Sequence, residues 1–193
     1  WLDEEYPLIA QRAKVENAEI QWADETGVRS DSHGGRSFAP AGKTPVRLVS
    51  GSRFATNMIS SVTNRGKLRF MMYRETMTSQ VLIRFLDRLV RGSEGRKIFL
   101  ILDNLRVHHS KKVAAWVEAR KEQIELFFLP AYAPELNPDE YLNGDLKQQL
   151  KTGRAARTQA ELEERVRSIL RRIQRRPGRV SSYFRHPKIA YAA

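Results

Sequence analysis

The chain has 193 residues, 41% of them apolar, which suits one hydrophobic core or little more. It has no cysteine, no apolar run long enough to span a membrane and no signal-peptide layout in its opening WLDEEYPLIAQRAK, so disulfides and thiolate metal sites are excluded and a reducing cytoplasm fits. The net charge of +12 is lopsided, because residues 147–193 hold 13 Lys and Arg against 3 Glu and the other 146 residues carry only +2.

Residues 1–17 read as a polar lead-in helix with Leu2, Tyr6, Ile9 and Ala13 at helical spacing. The chain starts at Trp1 and is read as a fragment or a processed chain. Glu19 to Asp24 alternates as a strand, with Ile20, Trp22 and Asp24 on one face and Glu19, Gln21 and Ala23 on the other. Thr26 to Lys43, rich in Gly and Ser, reads as a loop around a short strand at Arg36 to Ala39. Thr44 to Ser50, Ala55 to Thr63 and Leu68 to Tyr73 are strand-like, and Asn64-Arg65-Gly66 joins the last two as a hairpin turn.

Thr78 caps a helix with the stripe Val81, Leu82, Phe85, Leu86 and Leu89, and Gly92 to Gly95 ends it. The five apolar residues Ile98 to Leu102 read as a buried central strand ending in Asp103-Asn104. Ser110 caps a helix that buries Val113, Trp116 and Val117, and Ile124 to Leu129 forms a further strand. The Pro-bounded loop Pro130 to Pro134 leads to a helix from Asn137, and Thr158 with Glu161 is a capping box for the last long helix. Leu162, Val166, Ile169, Leu170 and Ile173 line that helix opposite a row of arginines. A basic block so localised suits a phosphate backbone, the plain alternative being a solvated face. The order β-β-β-α-β-α-β-α implies a mixed α/β sheet with helices on both faces.

One carboxylate sits where a sheet of this kind places ligands, at the C-terminal edge of its strands. Asp103 ends the central strand, where a strand-end cap and a functional carboxylate are equally good readings. Asp24 competes with Glu25 and Asp31, and Glu140 competes with Asp139 and Glu135, since acidic residues in a first helical turn also serve the helix dipole. Asn104 is placed to hold Asp103 through its amide, and Asn137 to cap its helix. Tyr132 reads as packing the loop, with stacking on a base as the alternative. The sequence has no phosphate-binding glycine loop, no nucleophile elbow and no HExxH motif.

The segments DN…HHS and LPAYAPELNPDE resemble the catalytic core of DDE transposases, in the bacterial insertion-sequence branch allied to mariner elements, and WADETGVRSDSHGGRSFAPAGKTPV resembles that family's first-aspartate region. The resemblance covers nearly the whole chain. It implies a ribonuclease-H-like, mixed five-stranded sheet, three strands antiparallel and then two parallel. It divides the chain into a lead-in helix at 1–17, a catalytic domain at 18–152 and a basic helix and tail at 153–193 packed on it.

By the same resemblance Asp24, Asp103 and Glu140 are the catalytic carboxylates, 36 residues separating the last two. They would hold two Mg²⁺ ions, with Mn²⁺ able to substitute, as phosphodiester chemistry on a polyanion requires. His108 would help to orient phosphate or water, and His109 less so. Lys111, Lys112, Lys147, Lys151, Arg171, Arg172, Arg175 and Arg176 would line the path of double-stranded DNA, both transposon end and target. The implied activity is strand cleavage and 3′-OH strand transfer by a homodimer in a bacterial cytoplasm, at the nucleoid. Helix-turn-helix modules, usual ahead of this core in the family, do not precede Trp1, so recognition of element ends is expected to lie outside these residues. Two rival readings are a non-catalytic DNA-binding remnant and a ribonuclease-H-type nuclease.

Overall fold

A computed structural model describes residues 1–30, 40–43, 53–151 and 156–193. The expected strands at Arg36 to Ala39 and Thr44 to Ser50 lie outside these residues, as does Asp31. Five strands form one sheet in the order β3-β2-β1-β4-β5: β1 Glu19–Arg29, β2 Ala55–Val62, β3 Leu68–Tyr73, β4 Ile98–Leu102 and β5 Ile124–Phe128. β2 pairs antiparallel with both β1 and β3, whereas β4 runs parallel to β1 and to β5. This is the expected mixed sheet.

β1 is longer than its sequence suggests. The expected loop from Thr26 begins only after Arg29, because Thr26 and Val28 face inward and pair with Met58 and Thr56 of β2. Gly27 sits in this strand as an ordinary ladder residue opposite Asn57.

Helices cover both faces. On one, α2 (Ser79–Arg91) and α3 (Lys111–Glu118) pack against Ala23, Ile59, Leu100 and Leu102. The Thr78 and Ser110 side chains cap them by accepting from Val81 N and Val113 N, each cap contributing about 1 kcal/mol. In α3 only Val113 is fully buried; Trp116 stays half-buried, with the Arg120 guanidinium 4.3 Å from its ring. On the other face lie α1 (Glu5–Val15), α4 (Asp139–Lys151), α5 (Gln159–Gln174) and α6 (Pro177–Ser182), whose apolar residues join Trp22, Met58 and Ile101 in one cluster. Leu2 precedes α1 and is exposed, while Tyr6, Ile9 and Ala13 are buried as their spacing predicts. Trp22 meets the Phe184 ring edge-on at 5.1 Å, which fastens the C-terminal segment to β1 two residues before Asp24.

The β2–β3 turn depends on glycine. Gly66 has φ +85°, and a Cβ there would overlap the Pro177 carbonyl at the start of α6. Gly66→Ala is therefore expected to destabilise the fold by about 2–4 kcal/mol, lowering Tm by about 5–15 °C in calorimetry. A Tm within a degree of wild type would mean that the turn and α6 separate easily.

Candidate active site

Parallel pairing fixes the first two carboxylates. Trp22 lies opposite Ile101 in the β1–β4 register, so two residues further along Asp24 is level with Asp103 at the C-terminal edge of β4. The third comes from α4, which polar contacts pin across β1 and β2. Asn137 caps α4 by accepting from Asp139 N at 3.0 Å, and its amide donates to the Ala23 carbonyl at 3.0 Å. One turn into the helix, Asn143 donates to Asp24 Oδ2 at 2.8 Å. Asp139 is fully buried and accepts from Ser60 Oγ at 2.6 Å. With Asp139 turned inward, its neighbour Glu140 faces the cleft. Asp24, Asp103 and Glu140 thus line one cleft of about 390 Å³, closed on its far side by the Leu129–Pro134 loop.

The charge balance of this edge is poor without a cation. Burial pushes the Asp24 carboxyl up to about 9, helped by the negative charges of Asp139, Glu140, Glu25 and Asp103. Burial likewise raises Asp139 well above the usual carboxylate range, partly opposed by the Ser60 hydroxyl. Glu25 Oε2, Asp139 Oδ1 and Asn143 Oδ1 are buried oxygens without a hydrogen-bond partner. Such a surplus of oxygen donors suits a hard divalent cation.

One contact was not legible in the sequence. Glu25 projects from the sheet face opposite to Asp24, and the buried His108 bridges round the strand end to reach it. His108 Nε2 lies 2.9 Å from Glu25 Oε1, while Nδ1 lies 3.1 Å from Asp103 Oδ1 and 3.0 Å from the Asp103 carbonyl. Burial disfavours the imidazolium, but Asp103 and Glu25 outweigh it and raise His108 to about 10. Single ligand atoms of Glu25, Asp103 and His108 all lie within 4.8 Å of one another, the only such group of three among the described residues. Asp24, Asp103 and Glu140 share their cleft at wider spacing. Asn104, expected to hold Asp103, instead bonds through Oδ1 to His109 Nε2, and the Asp103 carboxylate accepts from Leu105 N at 3.4 Å. Tyr132 does not pack the loop: its side chain is fully exposed.

The basic residues divide into two groups. Lys111 and Lys112 are exposed in the first turn of α3, shortly after Asp103, and Lys147 lies two turns along α4 from Glu140, with Lys151 one turn further. The arginines of α5 are elsewhere. That helix starts with Gln159 bonded to the Ala55 carbonyl, level with Arg29 of β1, and ends with Gln174 bonded to the Leu68 carbonyl, level with Trp22, so it passes the level of Asp24 on the β2–β3 side of the sheet. Arg171, Arg172, Arg175 and Arg176 are exposed at its far end, Arg172 donating to Gln149.

Two parallel strands with an acidic edge, flanked by an antiparallel pair and crossed by a helix that adds a carboxylate, place the chain in the ribonuclease-H-like class. The sequence profile of the DDE superfamily endonucleases matches residues 19–163, and the chain belongs to that family. Its fold is similar to the catalytic domain of the Mos1 mariner transposase, with TM-score 0.61 and 16% identity over 96% of this chain and 88% of that one. It is also similar to the transposase chain of a pre-cleavage Mos1 transpososome (TM-score 0.67, 15% identity, 100% of this chain and 62% of that one). For the Mos1 strand transfer complex the values are 0.65, 17%, 97% and 59%, so the chain spans about three-fifths of that relative's length. The Mos1 paired-end complex has been solved with Mn and with Mg. No curated protein sequence matches the chain.

Proposed function

We propose that residues 18–152, with the flanking segments packed on them, form the catalytic unit of a cut-and-paste DNA transposase in the insertion-sequence branch allied to mariner elements. The observation that carries this reading is the meeting of Asp24, Asp103 and Glu140, from two strands and a helix, in one cleft at the sheet edge. Asp24, Asp103 and Glu140 would hold two divalent cations, Mg²⁺ or Mn²⁺. When bound, these supply Lewis acidity and charge neutralisation at the phosphate of an in-line displacement.

The residues of the chain have separable parts in this scheme. Asp24 would hold a cation as its carboxylate, and Asn143, by donating to Oδ2, fixes the oxygen turned to the protein. His108 and Glu25 hold Asp103 at the strand end, so that its free oxygen faces the cleft. Lys111, Lys112 and Lys147 attract the DNA backbone to this edge. Strand cleavage and attack by the freed 3′-OH would use the same carboxylates in turn. Two copies of the protein would bring two element ends together, in a bacterial cytoplasm.

The test is strand cleavage and strand transfer on labelled duplex DNA and on a duplex with a preprocessed 3′ end, with Mg²⁺ or Mn²⁺. Wild-type protein is expected to nick or join strands only with metal, and Asp103→Asn to lose both reactions. Salt-sensitive DNA binding with neither reaction, in a chain joined to an element-recognition module, would overturn the catalytic reading.

A further inference from the structure

Tyr132 is 101% exposed and has φ +59°, a left-handed conformation that disfavours a bulky side chain. It stands in the loop bracketed by Pro130 and Pro134, where both proline rings restrict rearrangement. Strained backbone of this kind persists where surrounding structure enforces it, and it concentrates at functional sites. Leu105, in the segment just after Asp103, is 44% exposed. Both side chains line the cleft that holds Asp24, Asp103 and Glu140. Only five large apolar side chains are exposed among the described residues, and these two share that cleft.

We propose that Tyr132 and Leu105 form an apolar slot for one unpaired nucleobase, beside the phosphate held at the carboxylates. The proposal rests on the nucleic-acid reading above. A flat ring with an apolar face and a neighbouring aliphatic wall is the arrangement that receives a base taken out of its stack. Two side chains expose too little area for a protein partner, which needs about 800 Å² on each side. An apolar lip over an acidic floor also matches the two parts of a nucleotide, whose base is flat and apolar and whose phosphate is brought to the carboxylates by cations. The residues would discriminate stacked duplex from locally opened DNA without reading base identity, because every base has a π-face.

The probe is a duplex with a short single-stranded oligothymidine 3′ overhang, compared with the same duplex carrying abasic sites in the overhang. Binding is measured in Ca²⁺ by fluorescence anisotropy. Wild type is expected to bind the base-bearing overhang about five- to hundredfold more tightly than the abasic one. Tyr132→Phe should keep that ratio. Tyr132→Asn, which accepts the left-handed backbone and so preserves the loop, should bring it close to one, and Leu105→Ala should reduce it part of the way. A ratio of one in the wild type, or an undiminished ratio in Tyr132→Asn, would overturn the slot. Cleavage of the same duplexes with Mg²⁺, by the chain joined to an element-recognition module, is followed in parallel. Metal-dependent cleavage with no base-dependent binding leaves the nuclease reading standing and removes the slot; the converse keeps the slot and removes the nuclease.

Discussion

The Asp24→Asn protein is expected to melt at a higher temperature than wild type without divalent cations, while losing metal-dependent cleavage by about a hundredfold or more. Both effects have one cause. Asp24 is buried among Asp139, Glu140, Glu25 and Asp103, and its carboxyl is pushed up to about 9, whereas in the unfolded chain it titrates near 4. The folded state therefore retains a proton that the unfolded state has already released. Its contribution to stability is complete below about pH 4 and is lost as pH rises toward 9. Near neutral pH the native carboxyl is a liability, and asparagine keeps its shape and an acceptor for Asn143 without a proton to lose. The gain should be about 2 kcal/mol, or about 4–8 °C in Tm, with a flatter dependence of Tm on pH between 5 and 8. Calorimetry in EDTA across that range, beside cleavage assays with Mg²⁺, checks both parts. A lower Tm for the variant at pH 8 would show that the Asp24 carboxylate is well solvated after all.

His108→Gln should damage both stability and chemistry, through Glu25 and Asp103. The imidazole is enclosed and bonds both carboxylates, so its loss leaves two acidic groups facing each other round the end of β4. Removing the charged partner from such an arrangement should cost about 2–3 kcal/mol, less than for a wholly buried pair because Asp103 is partly exposed. Cleavage should fall about 10- to 100-fold, as when a residue that orients a metal ligand is removed, and higher Mn²⁺ should restore part of it. The double variant Glu25→Gln/His108→Gln separates coupling from simple loss of packing. If Glu25 acts through His108, the second substitution will cost clearly less in the His108→Gln background than alone. Additive losses would mean that the two residues stabilise the edge independently.

Local signals in the sequence were good guides where a single element decides the outcome. The run Ile98–Leu102 reads as a buried strand because each of its side chains is apolar, and the caps Thr78, Ser110 and Thr158 mark their helices as their hydroxyls dictate. Gly27 misled in the other direction: its lack of a side chain suggests a loop, but inward-facing Thr26 and Val28 carry β1 through to Arg29. The gathering of Asp24, Asp103 and Glu140 was legible through resemblance to a family, because the order of the strands cannot be read from their pattern. The bonds Ser60–Asp139, Asn143–Asp24 and Glu25–His108 were not legible. They join residues 79, 119 and 83 positions apart, and nothing local distinguishes these side chains from ordinary polar ones. Tyr132 was misjudged because aromatic residues are buried more often than not, whereas a loop held between two prolines can project one outward.

The direction of α5 sets the reach of the molecule along a double helix. Sixteen residues at 1.5 Å per residue carry its arginine end about 24 Å from its start, from the level of Arg29 to that of Trp22. At about 3.4 Å per base pair, that distance corresponds to roughly seven base pairs. On the proposed function, a duplex laid along this helix would cover that length of the protein, with the carboxylates level with the interior of its footprint and the arginines at one end of it.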